Sequence, residues 1–180
     1  MLRELGFTDG INEVIAVTFK KDGSINTAPI GIILEGDKTY ARIYRSHTRE
    51  NVERDKILYV NVILDPIVFA LSTFEDLDES YFESLNPPKI KGTLSWCKFK
   101  AEIEGLIVHL HFLEGEIVRK YLRAYNRGFS ALIEALILAT RYTDEKFDEM
   151  MKYKNVVMRC GSEMEKRAFK VIEEKLGINF

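Results

Sequence analysis

The chain of 180 residues is long enough for one domain with an apolar core, or for such a domain with a helical addition. Its 26 Lys and Arg residues against 28 Asp and Glu residues give a formal net charge of -2, which disfavours a dedicated nucleic-acid binder. Cys97 and Cys160 lack the spacing of a zinc ribbon or a disulfide scaffold, and no apolar run approaches the length of a membrane span. We therefore expect a soluble, cytoplasmic protein with reduced thiols.

The first half of the chain has the alternating apolar pattern of antiparallel strands. The predicted strands cover residues 12–19, 25–34, 39–44, 57–62, 67–71 and 94–112. A turn at 21–24 joins the first two strands into a hairpin, and Gly105 is predicted as a bulge or bend in the last one. The polar stretch 47–54 is predicted as a short helix. Several antiparallel strands with one short helix predict a small barrel.

After Gly115 the apolar period becomes helical. Four helices are predicted: 117–125, 129–142, one from Thr143 or Asp144 to Gly161, and one from Ser162 to Gly177. Gly128 is expected to take the left-handed conformation that ends the first of these helices, and a capping box begins the last one. We therefore predict two parts, a barrel at 1–115 and a helical subdomain at 116–180.

Residues 26–31 form the part of the predicted barrel that most suits a flat aromatic ligand. Pro29 cannot donate a backbone hydrogen bond, so a strand that contains it is expected to lie at an edge where main-chain groups remain open. One interpretation is an ordinary hairpin arm in which Pro29 only marks the edge. The other is that a flat ring lies against this backbone.

The segment 45–51 follows, and it suits a phosphate. Arg45 and Arg49 supply charge and bidentate donors, while Ser46, Thr48 and the unpaired amides of a helix start supply neutral hydrogen bonds. The alternative is a solvated loop in which Ser46 or Thr48 only caps the helix. Together with the preceding strand, the segment predicts a site for a phosphorylated aromatic ligand.

The sequence contains few other candidates for catalytic or metal-binding residues. His109 and His111 share one face of a predicted strand, but no third metal ligand is evident, and polar residues on a solvated face are the favoured explanation. No P-loop, GxSxG or HExxH motif is present. If the protein is an enzyme, we expect its reactive atoms to belong to a cofactor.

Two segments resemble a known family. Residues 12–18 and the run Asp-Gly-Ser-Ile-Asn-Thr-Ala-Pro-Ile-Gly at 22–31 resemble the start of the archaeal domain-of-unknown-function family 447, and residues 126–141 resemble its helical C-terminal region. Its members look like flavin mononucleotide (FMN)-binding split-barrel proteins, distant relatives of flavin reductases and pyridoxamine-phosphate-oxidase-like proteins. The resemblance implies an α+β, mainly β fold: an antiparallel split β-barrel of the FMN-binding type with a helical C-terminal subdomain.

The resemblance also implies a set of cofactor-binding residues. The ring would lie along Thr27, Ala28, Pro29 and Ile30, the phosphate and ribityl tail among Arg45, Ser46, Thr48 and Asn51, and Asn61 would contact the flavin from one side. In this fold class the flavin sits at a homodimer interface. The partner subunit is then expected to complete the site with Trp96 or residues near 87–89.

The resemblance leads us to expect an FMN-dependent oxidoreductase whose substrate the sequence does not specify and whose reductant is a nicotinamide or a deazaflavin. No catalytic acid or base and no metal ligand is identified. The alternative is a non-catalytic flavin-binding, sensing or carrier module. A third hypothesis makes the helical region a docking surface for another protein, which requires the stripe Leu132, Leu136 and Ala139 to be exposed.

Overall fold

The computed structural model describes residues 1–180 and divides them into two compact units. Unit 1 comprises Met1–Leu64 and Asp76–Tyr121, and unit 2 comprises Asp65–Glu75 and Leu122–Phe180. The predicted division between residues 115 and 116 therefore falls inside a strand of unit 1, and a short segment from the first half of the chain joins unit 2.

Unit 1 is built on a closed antiparallel barrel. Unit 1 contains eight strands, of which six form the barrel: β1 (Gly10–Phe19), β2 (Ile25–Glu35), β3 (Lys38–Arg42), β4 (Ile57–Val62), β5 (Phe82–Leu85), β6 (Pro88–Ile90), β7 (Ser95–Glu104) and β8 (Ile107–Ile117). The order around the barrel is β1-β2-β3-β8-β7-β4, and β5 pairs with β6 in a separate hairpin. Helix α1 (His47–Asp55) connects β3 to β4. The predicted antiparallel barrel with one short helix is confirmed.

Alternate residues of each strand fill the barrel. The buried cluster includes Val14, Ala16, Ile32, Leu34, Ala41, Leu58, Val60, Cys97, Phe99, Ala101, Val108 and Leu110. Because side chains of a strand point alternately to its two faces, the residues between these members lie on the outer face. This alternation decides which side chains of β2 are available to a ligand.

The predicted single strand 94–112 is wrong. Its residues belong to two strands, β7 and β8, which are joined by a turn in which Gly105 has a φ of 58°. The bulge lies elsewhere, where the pairing shifts between Lys98 and Phe99 and leaves Leu113 without a partner. The alternating pattern correctly indicates strand. Because a tight turn between two strands does not interrupt that alternation, the pattern does not show where β7 ends and β8 begins.

Unit 2 contains the other four helices. These are α2 (Pro66–Phe74), α3 (Arg127–Ala139), α4 (Phe147–Cys160) and α5 (Glu163–Leu176). The strand predicted at 67–71 is therefore wrong. Asp65 caps the helix by accepting from the amides of Ile67 and Val68, and Pro66 occupies the first turn, where its missing N–H costs nothing.

The helix predicted at 117–125 is also wrong. Strand β8 continues to Ile117, and the chain has no regular secondary structure from there to α3. Gly128 does not end a helix but lies in the first turn of α3, which Asn126 caps. The last two helices are found as predicted, including the capping box at Ser162 and the left-handed end at Gly177.

Helix α3 supplies much of the core of unit 2. Leu132, Leu136 and Ala139 are buried, so the hypothesis that this stripe is an exposed docking surface is wrong. At its first turn, α3 approaches the junction of α4 and α5 closely: a Cβ on Gly128 would lie 2.4 Å from the Gly161 Cα. Only glycine permits this backbone contact.

A buried carboxylate on α5 bonds to the segment that precedes α3. Glu165 is 1% exposed and accepts hydrogen bonds from the Ser162 amide, the Ser162 hydroxyl and the Arg123 guanidinium, the last at 2.8 Å. Burial alone would raise the pKa of Glu165, but these hydrogen bonds outweigh it and hold the pKa below its ordinary value. Glu165 is therefore an ionised anchor for the segment that leads into α3.

None of the helices is long and apolar enough to cross a lipid bilayer.

Candidate functional site

Strand β2 has one open edge. It pairs with β1 over its length from Ile25 to Leu34, but β3 pairs with it only from Ile32 onward. Main-chain N–H groups alternate between the two edges of a strand. The Thr27 amide points to the open edge, and Pro29, two residues on, has no N–H to place there. Pro29 thus lies at an edge without a neighbouring strand, where a main-chain donor is not required.

The four predicted ring contacts do not share one face of β2. Ala28 pairs with the inward-facing Ala16, and Ile30 packs against the barrel core, whereas Thr27 and Pro29 lie on the outer face. Pro29, together with Ala28 and Ile30, is half-buried. A flat ring along this strand would therefore meet the main-chain edge rather than four side chains together.

Thr27 is held by a segment that is distant in sequence. Its amide donates to Asp76 Oδ1 at 2.8 Å, and its hydroxyl accepts from the Leu77 amide at 3.0 Å. The other oxygen of Asp76, Oδ2, lies 2.7 Å from Lys20 Nζ. Sequence reasoning missed both Asp76 and Lys20, because no motif links a carboxylate to a strand 49 residues away.

Four buried polar side chains fix α1 against the β1–β2 hairpin. Thr18 Oγ1 accepts from the amide groups of Asn26 and Asn51, each at 3.0 Å, and Asn26 also donates to Thr48 Oγ1 at 2.9 Å. All four are at most 5% exposed. Thr48 and Asn51, predicted as phosphate contacts, therefore already bond within the chain and position the first turn of α1.

The start of α1 is the most accessible part of the predicted phosphate site. Ser46 caps the helix by accepting from the Arg49 amide at 3.3 Å, so the amides of His47 and Thr48 precede the first intrahelical bond. Arg45 is exposed, so its guanidinium is available to an anion. The structure thus places Ser46 at the N-cap of α1, with the exposed Arg45 directly before it in the chain.

A cavity of about 620 Å³ lies along α1 and the β1–β2 turn. It is lined by Lys20, Lys21, His47, Glu50, Asn51, Glu53 and Arg54. Of the predicted site residues, only Asn51 reaches it. Lys20 and Arg54 are paired with Asp76 and Asp55, so the cavity has no large excess of positive charge.

Asn61 is not brought to an open surface. It is fully buried; its amide group donates to the Pro88 carbonyl at 3.1 Å, and its oxygen accepts from the Ile90 amide at 3.0 Å and the Thr93 hydroxyl at 2.8 Å. It thereby holds β6 against the barrel. Trp96, expected to act on a partner's flavin, donates to Glu116 of its own chain at 2.9 Å.

The site offers binding groups rather than an evident nucleophile. Burial raises the pKa of the Cys97 thiol to about 12, so this thiol stays protonated at neutral pH. His109 and His111 lie 3.2 Å and 3.5 Å from Glu104 and Glu102 on the barrel surface. The arrangement can hold a flat ring on a strand edge and an anion at a helix start.

The barrel and the helical unit define an antiparallel split β-barrel with a helical C-terminal subdomain, as predicted. Residues 12–123 match the family model described as "Protein of unknown function (DUF447) N-terminal domain", and residues 126–174 match the one described as "Protein of unknown function (DUF447)". The chain belongs to the DUF447 family.

Three known proteins illustrate what this chain is similar to. The crystal structure of the FMN-bound protein MM1853 from Methanosarcina mazei, family-model DUF447, is 34% identical and has a TM-score of 0.88, covering 97% of this chain and 100% of that one. Uncharacterized protein MJ1453 from Methanocaldococcus jannaschii is 26% identical, covering 93% of this chain and 99% of that protein. The styrene monooxygenase flavin reductase from Pseudomonas putida S12 is 10% identical with a TM-score of 0.46, covering 65% of this chain and 86% of that one.

Proposed function

We propose that this protein binds FMN at the open edge of β2 and the start of α1, and that it is a flavin-dependent oxidoreductase. The observation that carries the proposal is the likeness, over nearly the whole chain, to an FMN-bound member of the same family. The site residues fit the group, because a flat ring needs an open apolar edge and a phosphate needs main-chain amides and a cation.

The chain's own residues would act by binding and orientation. The main-chain edge from Ala28 to Ile30, with the half-buried Pro29 ring on the outer face, would border the flavin ring, and Arg45 with the amides after Ser46 would supply the anion contacts. When bound, FMN supplies the electron-transfer chemistry. The buried Thr18 network keeps α1 in place relative to β2, so that both contacts are available together.

A non-catalytic flavin carrier or sensor is the second candidate. It is favoured by the hydrogen bonds that Thr27, Thr48 and Asn51 already make within the chain, which leave few polar side chains to act on a substrate. Binding without turnover needs no such side chain. The two functions differ in whether bound FMN exchanges electrons with a soluble reductant.

We also propose a homodimer with the flavin at its interface, and a nicotinamide or deazaflavin as reductant. Support for the dimer comes from apolar side chains that lack cover within one chain: Leu122 is 99% exposed and Tyr125 81%. A cytoplasmic location stays a prediction.

The test is an absorbance titration of purified protein with FMN, followed by anaerobic addition of NADH, NADPH or a reduced deazaflavin. Binding with bleaching at a rate above that of free FMN supports the oxidoreductase. Binding without bleaching by any of the three supports the carrier. Failure to bind FMN contradicts both functions.

A further inference from the structure

Asp76 and Lys20 form an ion pair directly beside the open edge of β2. One carboxylate oxygen of Asp76 accepts from the Thr27 amide at 2.8 Å, and the other lies 2.7 Å from the Lys20 ammonium. The pair is thus fixed to the strand on which the ring is proposed to lie. It stands two residues from Pro29, where the edge has no donor of its own.

The pair has hydrogen-bonding capacity left over. An ionised carboxylate has about four lone-pair sites and an ammonium has three donors, and the contacts above use two sites of Asp76 and one donor of Lys20. The side chains are 31% and 34% exposed, so a ligand can reach them. The edge of β2 therefore presents an acceptor next to a donor.

This order of groups complements one edge of the flavin ring system. The pyrimidine edge of an isoalloxazine carries an N–H, at N3, between two carbonyl oxygens. We propose that Asp76 accepts from the N3–H of FMN and that Lys20 donates to an adjacent ring carbonyl. This inference rests on the proposed function, and it assigns ring recognition to two residues outside the segments 26–31 and 45–51.

The assignment has a direct consequence for specificity. A flavin methylated at N3 loses the donor and places a methyl group against the carboxylate, so the proposed hydrogen bond to Asp76 cannot form and the methyl group displaces water from a charged oxygen. A cation near the ring carbonyls also favours the reduced flavin, which carries more negative charge there. Asp76 thus affects which ring is bound, and Lys20 affects how readily it is reduced.

A purely structural role for Asp76, holding Thr27 in place, predicts something different. Loss of the Asp76 carboxylate would then weaken all flavins by the same factor, because the strand edge itself would be disturbed. Discrimination between FMN and N3-methyl-FMN separates the two roles, since a structural defect does not distinguish the two ligands.

The experiment measures dissociation constants of FMN and N3-methyl-FMN for the full chain and for Asp76→Ala. We expect the unsubstituted protein to prefer FMN by about tenfold or more, and Asp76→Ala to reduce that preference to about twofold or less. Asp22→Ala is the matched control, because it removes an exposed carboxylate near Lys20 that bonds only Ser24. It should keep the original preference.

Lys20→Met provides a second measurement that leaves the bond from Thr27 to Asp76 in place. We expect a lower midpoint potential of bound FMN, by about 30 mV for each tenfold loss of preference for the reduced form. Equal binding of the two flavins by the unsubstituted protein, a preference retained in Asp76→Ala, or an unchanged potential in Lys20→Met would each overturn the assignment. Absence of FMN binding by the unsubstituted protein would instead overturn the proposed function, and this inference with it.

Discussion

Arg45 and Arg49 lie four residues apart at the start of α1, but only Arg49 forms hydrogen bonds within the chain. Arg49 donates to Glu53 at 2.6 Å and to the Gly105 carbonyl at 2.8 Å, which fixes the helix to the β7–β8 turn. Arg45 is exposed and makes no such bond. An anion that reaches this helix start therefore meets Arg45 as the available guanidinium.

Arg45→Ala should weaken FMN by about tenfold, because one exposed charged hydrogen bond to phosphate is lost. Riboflavin, which lacks the phosphate, should bind the variant and the unsubstituted protein equally. The measurement is a fluorescence titration of both ligands. A similar loss for riboflavin would place the phosphate away from Arg45.

Thr18 is the acceptor on which the buried polar network depends. Thr18→Val preserves the shape of the side chain but leaves the Asn51 amide group without an acceptor and the Asn26 amide group with Thr48 Oγ1 alone, which should lower the free energy of unfolding by about 1–3 kcal/mol. Urea unfolding followed through Trp96, the single tryptophan, reports the change in unit 1. Thr39→Val, half-buried on β3 and without a side-chain hydrogen bond, is the control and should be nearly neutral.

At the scale of elements, the buried carboxylate of α5 makes stability depend on pH. Since the pKa of Glu165 is lowered in the folded protein, its contribution is fully present above the ordinary value of 4.5 and is lost as the pH falls through the lowered value. Glu165→Gln should lower the stability of unit 2 at pH 7 by about 2 kcal/mol and flatten this acid dependence. Helical circular dichroism during urea unfolding from neutral to acidic pH measures both effects.

Glu163→Gln is the matched control for that prediction. Glu163 belongs to the same helix and pairs with Lys166 at 2.8 Å, but its side chain is 84% exposed. An exposed pair contributes little, so the variant should keep the acid dependence of the unsubstituted protein. An equal effect of the two substitutions would contradict the role of burial.

The elements that were predicted correctly are those whose signals are local. Helix α1 and the capping box of α5 are defined by residues within one turn of the chain, and the β1–β2 hairpin by its turn. Residues 67–71 were misread because their β-branched composition outweighed the start signal at Asp65 and Pro66, which belongs to a helix packed on α5. Burial in unit 2 decided that structure, and composition alone does not show it.

In the candidate site, the sequence predicted the open strand edge and the helix start, but not the contacts between residues distant in the chain. Pro29 indicated an open edge, and Ser46 indicated a helix start, because each acts through its own backbone. The bonds of Asp76 to Thr27 and of Asn61 to β6 join residues that no periodicity relates. These contacts determine which predicted residues remain accessible, so accessibility was the part that required the structure.

At the scale of the whole molecule, the DUF447 family assignment spans both units, yet each unit has a core of its own. We expect the dimer to draw on the exposed apolar side chains that neither core covers. Leu122→Glu should weaken dimerisation by at least about tenfold, because a charge would then be desolvated in the interface. Sedimentation equilibrium measures the dissociation constant of the dimer. The control Leu122→Met, which keeps an apolar side chain, should change that constant little. A monomeric unsubstituted protein would contradict the dimer.

An open strand edge is also a place where another polypeptide can add a strand and begin aggregation. On β2 the ladder that such a strand would need is interrupted twice, since Asp76 already occupies the Thr27 N–H and Pro29 has none. The two residues that border the proposed ring site, Asp76 and Pro29, therefore also hinder pairing with a second chain. A protein emptied of FMN would keep this protection, so loss of the cofactor need not lead to strand-to-strand assembly.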